Sequence, residues 1–200
     1  MWKVNFILFL PMNINFRFFL LFLPVLIAMS FSCNPGTGQL LNSLSSDSTA
    51  NKLATIKIPA YVAVVNFDRE ITAAEIGNIY WTEVPAQSEE KTTLQKFVSD
   101  FQTTKTALQN GSAHWSAENK QRLAQILSMT EQLCTVYKDN MKTLAQFSDY
   151  NDPAKKLPVE STTFDNDGDC VMKYRLIRKA LDEFELSLQT DMSNAANSLQ

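Results

Sequence analysis

Histidine occurs once, as His114, and glycine only five times in a chain of 200 residues. A single histidine excludes multi-histidine metal centres. Five glycines leave little material for a phosphate-cradling loop. The Glu-x-x-His pattern of di-iron bundles is missing. So is any basic surplus: 18 Lys and Arg face 21 Asp and Glu, for a net charge of -3, which excludes a basic nucleic-acid binder. Hydrophobic residues make up 45% and charged residues 20%, the composition of an ordinary globular protein of one domain.

Residues 1–32 differ from the rest. Their only charges are Lys3 and Arg17. Phe18 to Met29 is an apolar run of 12 residues, preceded by Arg17 and followed by Ser30-Phe31-Ser32-Cys33. Twelve residues make a helix of roughly 18 Å, too short for a ~30 Å hydrocarbon core. A basic segment, a short apolar run and a small-residue exit predict a secretory signal peptide over 1–32, with translation starting at Met12. Joining Phe6 to Phe31 into one spanning anchor is the competing reading, and Asn13, Asn15 and Arg17 interrupt it.

Ser30-Phe31-Ser32-Cys33 resembles the lipobox of bacterial lipoproteins, with Ser30 where that pattern prefers leucine. The resemblance implies cleavage before Cys33, acyl chains on Cys33, and a lipid-anchored place in the bacterial cell envelope, at the outer membrane. The chain has three cysteines, and acylation of Cys33 leaves Cys134 and Cys170, an even number that an oxidising compartment allows to pair. Such a disulfide closes a loop of about 37 residues, for ~3–4 kcal/mol. Without the leader, Lys and Arg fall to 16 against 21 acids, a net -5, so attachment depends on lipid rather than on anionic headgroups.

Residues 33–52, rich in Ser, Thr, Asn and Gly, read as a lipid-anchored flexible tether spanning about 25 Å. Residues 53–200 read as an all-α domain. Ser88 and Ser116 are helix caps. Stripes at three- and four-residue steps mark three long helices: Leu94 to Leu108, Leu123 to Leu144 extending to Phe147, and Tyr174 to Leu199. Thr72-Ala73-Ala74-Glu75 has the form of a capping box, with Ile71 and Ile76 as its hydrophobic staple, and predicts a short helix over 73–82. The apolar segment 56–67 is rich in β-branched residues yet carries Pro59, and its periodicity does not decide between helix and strand. No sustained heptad is read. The expected architecture is an up-and-down bundle of three long helices plus the short N-terminal one, with a long connection over 149–168. Val62 to Tyr80 also looks like the strand-then-helix segment of phosphate-type solute-binding proteins, a likeness of about 19 residues that the rest of the chain does not extend.

Asp165-Asn166-Asp167-Gly168-Asp169 carries the one local pattern with chemistry. Carboxylates of Asp165, Asp167 and Asp169 at alternate positions can supply oxygens to calcium. It does not fit an EF-hand, because Tyr174 stands where the bidentate Glu belongs. The plainer reading is a turn whose Asp169 caps the next helix. Arg178–Asp182 and Lys179–Glu183 are expected ion pairs on a solvated face. His114 has no neighbouring nucleophile and carries no catalytic signal, Trp115 is expected to cover one end of the bundle, and Met129, Met141, Met172 and Met192 to fill the core. The function expected is that of a non-enzymatic lipoprotein with no cofactor, acting through the membrane anchor and a protein partner. The alternative is a calcium or small-ligand module on loop 149–169.

Overall fold

A computed structural model describes residues 48–197. Among them every regular element is helical. Helix α1, Ser48–Lys52, runs through a π-helical turn, Leu53–Lys57, into α2, Ile58–Glu83. Lys52 and Lys57 both hold helical backbone angles, so the path is continuous. Pro59 accounts for the wide turn: it has no N–H to donate, and its ring crowds the carbonyl four residues earlier. The Ile58 N–H instead reaches back five residues to the Leu53 carbonyl.

Residues 58–67 of the apolar segment and the expected short helix 73–82 are therefore one helix of 26 residues, with Ile56 and Lys57 in the π-helical turn before it. The Thr72 capping box does not form, since the Thr72 hydroxyl donates to the Asp68 carbonyl within the helix at 3.0 Å. Ile76 is exposed and staples nothing. The strand-then-helix likeness over Val62 to Tyr80 falls with it. Ala60, Val64, Phe67, Ile71, Ala74, Asn78 and Trp81 are all buried, at alternating steps of four and three, which is a heptad seam the sequence reading did not find.

Ser88 begins α3, Glu89–Gly111, accepting from the Lys91 N–H at 3.3 Å, and Ser116 begins α4, Ala117–Thr143, accepting from the Asn119 N–H at 3.1 Å. Both caps are as expected. The stripe of α4 stops at Leu144, and Phe147 is exposed rather than packed. The connection beyond it is not a loop. It holds a 3₁₀ turn, Phe147–Asn151, and helix α5, Pro153–Phe164, which Asp152 caps through its carboxylate to the Ala154 N–H at 3.0 Å. Helix α6, Asp169–Asn197, completes the fold. Ser48–Lys52, inside the expected tether, is helical, and Leu199 lies outside the described residues.

Contacts fix the directions. Phe67 stacks on Phe101 with ring centroids 6.4 Å apart, while Gly77 meets Leu94 and Glu90, so α2 and α3 are antiparallel. A Cβ on Gly77 would lie 2.5 Å from the Glu90 carbonyl, so this close approach requires glycine. The α2–α6 contacts Tyr61–Gln189, Asp68–Arg178 and Thr72–Tyr174 run antiparallel as well. Helix α4 lies antiparallel to α6, from Asn119 beside Ser187 to Asn140 beside Cys170. Among the described residues the result is a four-helix bundle with α5 packed against α2, α4 and α6, an all-α architecture with one more long helix than expected. Its single core takes Val64, Phe67 and Ile71 from α2, Leu94 and Phe101 from α3, Ile126 and Leu133 from α4, and Ile177 and Phe184 from α6.

Candidate functional site

Cys33 lies outside the described residues. The acidic turn is described and does not form a ligand set. Asp165 ends α5 and accepts from the Ser161 hydroxyl, and Asn166 is held by Arg175 at 3.1 Å. Asp169 is the first residue of α6 rather than its cap, and it pairs with Lys173 at 3.0 Å. Asp167 is exposed. Among the described residues no group of three or more His, Cys, Asp or Glu could hold a metal ion. The expected calcium ligands Asp165, Asp167 and Asp169 are not brought together as such a group. Gly168 serves packing: a Cβ there would lie 2.4 Å from the Ser161 carbonyl.

Cys134 and Cys170 are buried as separate thiols, so the expected disulfide is not formed in this structure. Cys170 meets the Asn140 amide at 3.6 Å. Asn140 is six residues beyond Cys134, about 9 Å along the helix, which sets Cys170 against a later turn. Burial pushes both thiols up to about 12, so they are poor nucleophiles.

Around Cys170 lies a buried polar layer that sequence reasoning missed. Asn140 donates to the Asn78 side-chain carbonyl at 3.1 Å and accepts from the Thr162 hydroxyl at 3.2 Å. Asn78 donates to Thr163 at 3.3 Å, and the Thr82 and Thr163 hydroxyls are 3.1 Å apart. A turn away, the Tyr137 hydroxyl donates to the Glu75 carboxyl at 2.6 Å. Burial raises the Glu75 carboxyl above its ordinary value, the Tyr137 hydrogen bond works against that, and burial raises the phenol as well. Satisfied polar groups in a core tie α2, α4 and α5 to one register.

Next to Glu90, Lys91 is almost fully buried and has its ammonium 5.0 Å from the ring centroids of both Trp81 and Tyr150. It donates to the Tyr150 hydroxyl at 3.0 Å, which in turn donates to the Trp81 carbonyl at 2.6 Å. Burial lowers the Lys91 amine. The cage is filled by the chain's own cation and pins the 3₁₀ turn to α2 and α3.

At the other end of the bundle Trp115 packs edge-on against Phe184, with centroids 5.3 Å apart, in keeping with its expected covering role. Beside it is a cavity of about 260 Å³. The π-helical turn contributes Ile56 and Lys57 to one wall, and the ends of α6 and α4 contribute Leu188, Met192 and Asn119. The ion pairs Arg178–Asp182 and Lys179–Glu183 are present at 3.6 and 4.0 Å. Met129 and Met141 pack on the core, whereas Met172 is exposed. No helix among the described residues is long and apolar enough to cross a membrane. No protein-family model, curated protein or solved structure matches this chain.

Proposed function

We propose that the chain is an exported lipoprotein of the bacterial envelope, held at the outer membrane by acyl chains on Cys33, whose helical domain acts through protein contacts. The observation that carries the reading is the apolar run Phe18 to Met29 ending in Ser30-Phe31-Ser32-Cys33, with positive charge ahead of it and no acid before the cysteine. Support for a contact role comes from α5 and the first turns of α6, where Leu157, Phe164, Met172 and Leu176 stay exposed at 61, 42, 45 and 53%.

Cells fed a palmitate analogue test the anchor. Wild-type protein takes up label and Cys33→Ala takes up none. Equal label in both overturns the lipid anchor and the envelope placement that rests on it.

A further inference from the structure

We propose that the 260 Å³ cavity beside Trp115 binds a small carboxylate carrying an apolar body, a site independent of the lipid anchor. Size sets the first limit. A cavity of about 150 Å³ accepts benzene, so this one has room for roughly ten non-hydrogen atoms.

The lining sets the chemistry. Ile56, Trp115, Leu188 and Met192 give it an apolar lining, with an indole and a thioether that suit a ring or a short alkyl chain. Lys52, Lys57 and His114 bring nitrogen donors to the same space. Lys52 and His114 are exposed, which places them at the mouth. The acid on the lining is Asp191, and its carboxylate already accepts from the Asn119 amide at 3.1 Å. Lys57 is tied only loosely, donating to the Asp191 backbone carbonyl at 3.3 Å. Two lysines thus line the site beside one carboxylate that already holds a hydrogen bond. Apolar walls with a few convergent polar groups at one end describe a ligand pocket. The wall carrying Ile56 and Lys57 is the π-helical turn, a geometry found disproportionately at functional sites.

Phenylacetate, with an aromatic body and one carboxylate, is the probe. Full-length protein in nonionic detergent, carrying [13C]methyl methionine, is titrated and followed by NMR. The Met192 methyl is expected to shift saturably while the Met141 and Met172 methyls stay still. The neutral analogue 2-phenylethanol is expected to bind about tenfold more weakly or worse, because it cannot use the ammonium groups. Lys52→Gln with Lys57→Gln is expected to weaken phenylacetate by about tenfold, with helicity by circular dichroism unchanged. Absence of a saturable Met192 shift up to about 10 mM in the wild type overturns the proposal. So does equal affinity for the neutral analogue, a comparison that needs no variant to fold. Undiminished binding by a folded double-lysine variant overturns it too.

Discussion

Replacing Glu75 with glutamine is expected to stabilise the protein at neutral pH and to erase a pH dependence that the wild type carries. Glu75 is buried, with the Tyr137 hydroxyl 2.6 Å from its carboxyl. Burial raises its pKa above the unfolded value of 4.5, against the opposing pull of the Tyr137 hydrogen bond. The folded state therefore holds this proton more tightly than the unfolded chain does. Its contribution to stability is complete below the unfolded value and is lost as pH rises through the folded one. Wherever Glu75 is ionised in the folded protein, its carboxylate is desolvated, at an effective cost of several kcal/mol per ion, offset by a charge-assisted hydrogen bond of about 1.5–3 kcal/mol. Glutamine keeps an acceptor for Tyr137, gives up the charge assistance and removes the desolvation. A net gain of about 1 kcal/mol near pH 7 follows. Tyr137→Phe does the opposite, leaving the carboxylate without its donor at a cost of about 2–3 kcal/mol, and that cost falls to about 1 kcal/mol on the glutamine background. Urea unfolding by circular dichroism from about pH 5 to about pH 8 measures all four species. A glutamine variant destabilised by more than about 2 kcal/mol, with its pH slope unchanged, refutes the reasoning.

Gly77→Ala is expected to cost about 1–3 kcal/mol, because the new methyl would sit 2.5 Å from the Glu90 carbonyl, while Gly111→Ala, with nothing within 4 Å, is neutral or stabilising; thermal unfolding separates them. Lys91 is charged less readily folded than unfolded, so wild-type stability rises as pH climbs from the folded value towards 10.5, and Lys91→Met lacks that rise in denaturant titrations run at alkaline pH. Cys134 and Cys170 are expected to resist alkylation in the native state and to give two reactive thiols after unfolding without reductant; none after unfolding would show a disulfide instead.

Three of the four long helices were legible because their signals are local. Ser88 and Ser116 cap where expected, and Leu94 to Leu108 and Leu123 to Tyr137 step along one face. Helix α2 was not, because its seam is interrupted chemically while continuing geometrically. Gly77, Asn78 and Thr82 are buried but do not look apolar, and Thr72 with Glu75 imitates a helix start. Pro59 and the β-branched residues on either side of it hid the upstream half. Helix α5 carries Pro153 and Pro158 and few apolar residues, so it read as loop. The polar layer draws Asn78, Asn140 and Thr163 from segments that are unremarkable alone, and only tertiary packing brings them together. The cavity joins residues as distant as Lys57 and Asp191 for the same reason.

Intact mass spectrometry of protein extracted from native membranes addresses the lipoprotein account most directly. A lipoprotein is expected to give a chain beginning at Cys33 with the added mass of a diacylglyceryl group. A chain beginning upstream of residue 33, or beginning there with no added hydrocarbon, contradicts it.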